Sequence, residues 1–150
     1  MIREYQARDL DNIMSIWLDG NKQAHNFIDE SYFINNYDLV KSILPMSTIF
    51  VQDIDGVQGF IGLTDNYIAG LFVAKDHQRQ GSGQALVVKA KQLHNELYVH
   101  VYKKNHSAQS FYLSQGFEIV SESINEDTHE AEYLMCCRVE HNVKIGKCAL

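Results

Sequence analysis

Proline occurs once in this 150-residue chain, and nowhere do proline, glycine and small polar residues gather into a linker. With no linker, repeat or low-complexity stretch to divide it, the chain is expected to form one domain over residues 1–150, burying about two thirds of the surface its unfolded form exposes. Long apolar runs are missing too. No stretch approaches the roughly eighteen residues that cross a bilayer, and no basic-then-apolar segment opens the chain, so the expected location is the cytosol, away from membranes. Positive charge is scarce: 13 Lys and Arg stand against 19 Asp and Glu, a formal net charge of -6, and the single adjacent basic pair is Lys103-Lys104. A nucleic-acid binder ordinarily carries a basic stripe, which excludes that class here. An acidic chain is instead suited to a cationic partner such as an amine.

Cysteine is sparse and odd in number: Cys136, Cys137 and Cys148. None forms a Cys-x-x-Cys pair, and the seven histidines show no spacing of a metal site, so no metal is expected. Cys136 and Cys137 are neighbours in an expected strand and point to opposite faces. Reduced thiols account for them most simply, and no nearby base marks one as a nucleophile. Two phosphate motifs are also absent, Gly-x-x-x-x-Gly-Lys-Ser/Thr and Gly-x-Gly-x-x-Gly, which removes the nucleotide triphosphatase and dinucleotide oxidoreductase classes.

What is present centres on residues 68–93. Ile68 to Val73 is a short run of strand formers, and Leu86, Val87, Ala90 and Leu93 repeat at helical spacing. Between them lies Gln78-Arg79-Gln80-Gly81-Ser82-Gly83, followed by Gln84. The opening turn of a helix leaves backbone N–H groups unpaired at the positive end of its dipole, and glycines there let a phosphate approach. The stretch reads as strand, anion-binding turn, helix, although glycines before a helix also serve as ordinary turn residues.

The flanking elements follow in order. Met1 to Tyr5 fits a first strand. Asp9 is placed to cap a helix bearing Leu10, Ile13, Met14, Trp17 and Leu18, with Gly20 at its end. Residues 29–44 form a second helix with Phe33, Tyr37, Val40 and Leu44 on one face, closed by Pro45. Residues 47–54 and 57–64 read as a hairpin about Asp55-Gly56, and Asp65-Asn66 turns into the strand at 67–73. A strand at 97–102 joined through a helix predicts parallel pairing. A helix then runs from Asn105 to a left-handed cap at Gly116, a last strand pair covers 117–123 and 131–139, and 141–150 is left as a tail.

The spacing Gln78-x-x-Gly81-x-Gly83, followed by the strand at 97–102 and Asn105-x-x-Ala108-x-x-Phe111-Tyr112-x-x-x-Gly116-Phe117, resembles the GNAT superfamily of N-acetyltransferases, its small single-domain bacterial members most closely. The resemblance implies an α/β fold with a mixed central sheet of about six to seven strands, splayed between the strands at 67–73 and 97–102, and flanked by about four helices. It implies acetyl-CoA as co-substrate and a primary amine as acceptor, a protein lysine or N-terminus or a small molecule, in a monomer or homodimer.

Residue roles follow from the same resemblance. The amides from Gln78 through Gln84 (Gln78, Arg79, Gln80, Gly81, Ser82, Gly83, Gln84) would receive the pyrophosphate. Leu71, Phe72 and Val73 would line the pantetheine arm, with a freed Val73 N–H pointing at the thioester oxygen and Phe72 facing the acceptor side. Asn105, Ala108, Phe111 and Tyr112 would complete the cofactor site. Tyr112, a phenol with an unperturbed pKa near 10, would protonate the leaving thiolate. His25, Phe27, Tyr32 and Phe33 would form the acceptor wall, or simply pack their helix. The base stays open among Glu4, His25, Glu30 and Asp65, with His25 preferred for its pKa near 6.5. The alternative function is an acyl-CoA-binding regulatory module without turnover.

Overall fold

The computed structural model describes residues 1–139; the expected tail and Cys148 lie outside the described residues. Seven strands, β1 (Ile2–Glu4), β2 (Thr48–Asp53), β3 (Val57–Thr64), β4 (Tyr67–Val73), β5 (Glu96–Tyr102), β6 (Glu118–Ile124) and β7 (Ala131–Arg138), accompany the α-helices α1 (Leu10–Ala24), α2 (Glu30–Ile43), α3 (Ser82–Leu93) and α4 (His106–Ser114). The strands form a mixed sheet in the order β1-β2-β3-β4-β5-β7-β6, as the α/β reading expects. By contacts the chain divides into two compact units, Met1–Asp65 with Ala69–Lys89, and Asn66–Ile68 with the chain from Ala90 onward.

In the first unit, alternation along β2 decides what it covers. Ile49 and Val51 pack with Ile13, Met14 and Ile16 of α1, with Leu44 and with Phe60 of β3. Ile13, Met14, Val51 and Phe60 are completely buried, each contributing about 1.5–3 kcal/mol relative to exposure. Trp17 and Phe33 are edge to face at 6.3 Å, and Trp17 and Tyr37 at 6.4 Å, which locks α1 to α2. The Asp29 side chain accepts from Ser31 N at 2.9 Å and caps α2.

Three local expectations are corrected here. Asp9 does not cap α1 with its side chain. Its buried carboxylate turns back to accept two 2.9 Å hydrogen bonds from the Arg3 guanidinium and one of 2.8 Å from Gln6 N. A bidentate charged pair outweighs a single cap bond. Helix α1 also runs through Gly20 to Ala24, carrying Gln23 on the helix rather than in a loop. The β2–β3 connection is three residues, Ile54 to Gly56, with a register shift at Gln52/Asp53, and Asp55 (φ 55) and Gly56 (φ 116) are both left-handed.

In the second unit, Tyr67 and Ile68 at the start of β4 pair in parallel with Tyr98 and Val99 of β5. This is the pairing that a strand, helix, strand sequence predicts. β5 then pairs antiparallel with β7 from Glu96↔Arg138 to Tyr102↔Glu132, and β7 with β6. Gly116 ends α4 at φ 91, the expected left-handed cap. Cys137 is a buried thiol outside any disulfide, its Sγ 3.9 Å from Gln115 O.

Candidate active site

The turn before α3 takes its shape from two left-handed residues. After β4, a 310 turn over Lys75–His77 leads to Gln78 in extended conformation, then to Arg79 at φ 63 and Gly81 at φ 87. Gly81 O accepts from Ala85 N at 3.0 Å, so the helix opens at this glycine, and Ser82, Gly83 and Gln84 supply its first-turn amides. A Cβ at Gly81 would meet nothing within 4 Å. The glycine therefore serves backbone conformation, and the space over it is open. Amides on residues of alternating hand, at the positive end of a 12-residue helix, are a donor set that a diphosphate would fit.

The Gln78 side chain ties this turn to its surroundings. Its Nε2 donates to Val73 O at 3.0 Å, the last carbonyl of β4, and the Gln23 and Gln78 amides exchange longer contacts of 3.4 and 3.3 Å. The end of α1, the end of β4 and the turn are thus linked within the first unit. Phe72 reaches the same helix. Its ring lies against Gly20, where a Cβ would stand 2.5 Å from Phe72 Cδ1, and it packs against Phe60 at 5.9 Å between ring centroids.

His25, Phe27, Tyr32 and Phe33 are brought together beside this helix end. His25 lies 5.8 Å from Phe27 and 6.1 Å from Phe33, and Tyr32 stands edge-on to Phe33 at 5.3 Å. Asn21, 5% exposed, is the residue that sequence reasoning missed. Its Nδ2 donates to Trp17 O at 2.9 Å, which leaves Oδ1 as acceptor for His25 Nδ1 at 2.9 Å. Nδ1 therefore carries the hydrogen, and Nε2 is the proton-accepting nitrogen. Burial lowers the imidazole from 6.5 to about 4. His25 is neutral at physiological pH and a weaker base than its sequence position promised. The helical spacing of four from Asn21 to His25 was the available clue, obscured by ending the helix at Gly20. The other base candidates, Glu4, Glu30 and Asp65, are exposed at the end of β1, the start of α2 and the β3–β4 turn.

The second unit holds the other expected residues on α4. Asn105 is its N-cap, with Oδ1 accepting from Ala108 N at 3.1 Å. Tyr112 is buried, with its ring 5.2 Å from Phe111 and 5.2 Å from Phe117. Burial, reinforced by Tyr67, pushes its phenol far above the ordinary range near 10, so it holds its proton at any physiological pH. Tyr67 Oη meets His100 Nδ1 at 2.8 Å. Lys103 and Lys104 form ion pairs with Glu122 at 3.3 Å and Glu130 at 3.1 Å, the role of a charged surface turn. Among the described residues no group of His, Cys, Asp and Glu could hold a metal, and no helix is long and apolar enough to cross a membrane.

The chain is similar to known acetyltransferases in sequence and in fold. The family model described as "Acetyltransferase (GNAT) domain" matches residues 45–119. Peptidyl-lysine N-acetyltransferase YiaC of Escherichia coli (strain K12) is 34% identical over 138 residues, covering 90% of this chain and 94% of that protein. Peptidyl-lysine N-acetyltransferase YjaB of the same strain is 29% identical over 128 residues, covering 84% of this chain and 87% of that protein. Among solved structures, apo-form YjaB from Escherichia coli superposes with a TM-score of 0.80 at 26% identity, covering 91% of this chain and 95% of that one. The fold is also that of yncA from Salmonella typhimurium, solved with acetyl-CoA, at a TM-score of 0.65 and 15% identity over 99% of this chain and 98% of that one.

Proposed function

The chain belongs to the GNAT family of acetyltransferases, and from that premise we propose that it transfers the acetyl group of acetyl-CoA directly to the side-chain amine of a lysine in a peptide or protein. The observation that carries the reading is the left-handed pair Arg79 and Gly81 ahead of α3, which supports an anion-binding turn at the position of the family motif. The choice of lysine over other amines is supported by the names of YiaC and YjaB, both peptidyl-lysine N-acetyltransferases that align with most of this chain. We take residues 1–150, both compact units included, as one acyltransferase domain.

Acetyl-CoA supplies an acyl group activated as a thioester. The proposed work of the first unit is to hold it and to receive the amine. The amides from Gln78 to Gln84 take the pyrophosphate, with Arg79 adding charge. The backbone of Leu71 and Val73 receives the pantetheine arm, and the Val73 N–H stabilises charge developing on the carbonyl oxygen, as oriented backbone donors do. Phe72, His25, Phe27, Tyr32 and Phe33 line the acceptor wall. His25 is the proposed base. Burial keeps it unprotonated and also makes it a weak base, so a proton taken through Nε2 is readily released to water. In the second unit, Asn105, Ala108 and Phe111 contact the cofactor, and Tyr112 is the proposed acid for the leaving thiolate. Burial keeps the phenol protonated, so a proton is present to donate, while also weakening it as an acid.

The test is thiol release from acetyl-CoA by the purified chain against lysine peptides, peptides whose single amine is the N-terminus, and small polyamines and amino sugars. Release that depends on the lysine peptides supports the reading. Release with small amines alone replaces the acceptor class, and binding without release for every amine moves the chain to a non-catalytic role.

A further inference from the structure

Gln52 is the buried polar residue of β2. Ile49, Phe50 and Val51 of β2 are buried, and Gln52 is 8% exposed beside them. By the two-residue period of a strand, Phe50 and Gln52 share the face opposite to Ile49 and Val51. Helix α3 lies on that face. Its Lys89 Nζ stands 5.1 Å from the centre of the Phe50 ring, and its first residue, Ser82, meets Gln52 Nε2 through Oγ at 3.5 Å. Ser82 is only 4% exposed, so its hydroxyl points down at β2 while its backbone amide belongs to the first turn of α3.

Gln52 Oε1 is buried with no hydrogen-bond partner. Turning the amide round would give Ser82 the oxygen and strand the nitrogen, so either orientation leaves one end unsatisfied. An orphaned buried acceptor is costly, and an apolar side chain of the same length would remove that cost. The polar pair stands where β2 meets the opening of α3.

We infer that Gln52 is a positioning residue for coenzyme A: through its contact with Ser82 it holds the first turn of α3 against β2, and so aims the amides of Ser82, Gly83 and Gln84 without itself touching the ligand. The inference rests on the cofactor reading given above. It makes Gln52 a determinant of cofactor affinity at a distance of one residue, and it accounts for a long, half-satisfied polar contact where packing alone favours an apolar one.

The experiment is calorimetric titration of coenzyme A into the wild-type chain, Gln52→Met, Ser82→Ala and the double variant, with thermal unfolding of each without ligand. Gln52→Met is expected to weaken coenzyme A about three- to tenfold and to raise the KM for acetyl-CoA by the same factor, with kcat within twofold. Its unfolding temperature should be unchanged or higher, since the orphaned acceptor is gone. Ser82→Ala should give a similar loss, and the double variant no more than either single one. Equal affinity in Gln52→Met and wild type overturns the inference while leaving the cofactor reading intact. So does a loss of affinity that tracks a fall in unfolding temperature, which marks a purely structural role. Should Gln52→Met fail to fold, unaltered affinity in Ser82→Ala overturns it as well. A wild-type chain that does not bind coenzyme A removes the cofactor reading and the inference together.

Discussion

Asn21 Oδ1 lies 2.9 Å from His25 Nδ1, one helical turn along α1, and this contact assigns the imidazole hydrogen to Nδ1. The asparagine is itself oriented by its bond to Trp17 O. A buried amide thus sets both the tautomer and the direction of the imidazole in the aromatic cluster with Phe27, Tyr32 and Phe33.

The same burial makes His25 a source of acid sensitivity. Its folded-state pKa is depressed from 6.5 to about 4. Above pH 6.5 the ring is neutral in folded and unfolded chains alike, and its stabilising effect relative to acid is fully present. As pH falls below 6.5 the unfolded chain binds a proton that the folded chain refuses, and the loss grows to about 3 kcal/mol at pH 4 at roughly 1.4 kcal/mol per unit. The carboxylates of Asp9, Asp53 and Glu96 act lower, being held below their ordinary values of 3.8 and 4.5. Urea midpoints should therefore fall between pH 6.5 and 5 in the wild-type chain and stay nearly level in His25→Gln. Equal slopes in the two proteins would contradict the buried neutral imidazole.

Tyr112→Phe keeps the ring that packs between Phe111 and Phe117 and removes only the hydroxyl. Coenzyme A affinity and stability should hold to within about twofold and about 1 kcal/mol, while kcat falls about a hundredfold, the scale of a lost general acid. Full turnover in this variant would remove the phenol from the proton transfer.

Gly81 sits at φ 87, a conformation that costs a residue with a side chain about 1–2 kcal/mol. Gly81→Val should drive the turn out of its left-handed form and lower coenzyme A affinity more than tenfold, with the circular dichroism spectrum of the wild type. Unchanged affinity would show that the turn does not hold the pyrophosphate.

Gly20 tests the packing of α1 on β4. Alanine usually improves a helix by about 1 kcal/mol over glycine. Here its Cβ would fall 2.5 Å from Phe72 Cδ1, and the displaced ring should turn that gain into a net loss of about 1–2 kcal/mol. The urea midpoint of Gly20→Ala reports the sign directly.

Much of the fold was legible in the sequence because its signals are local. The run from Ile68 to Val73, the glycine that enters α3 and the capping Asn105 each declare themselves within a few residues, and the structure places them as expected. Long-range partners were not legible. The pairing of Arg3 with Asp9 and Asp53, which spans 50 residues for the latter, overrode a helix cap that local spacing favoured. Gly20 read as a helix end because its local cost is visible and the Phe72 ring that requires it is not. Ending the helix there hid the Asn21–His25 pair, and with it the environment that weakens the imidazole as a base. Gln52 and Ser82 are 30 residues apart and on different element types, so no periodicity connects them.

The measurement that bears most directly on the central claim uses one peptide carrying a free N-terminal amine, an internal lysine and no other amine. The peptide is incubated with the chain and acetyl-CoA and mapped by fragment mass spectrometry. The account predicts an acetyl group on the lysine side chain, reduced about a hundredfold in initial rate when the chain is replaced by Tyr112→Phe at equal concentration. An acetyl group confined to the N-terminus, or none under conditions where coenzyme A binds, would contradict it.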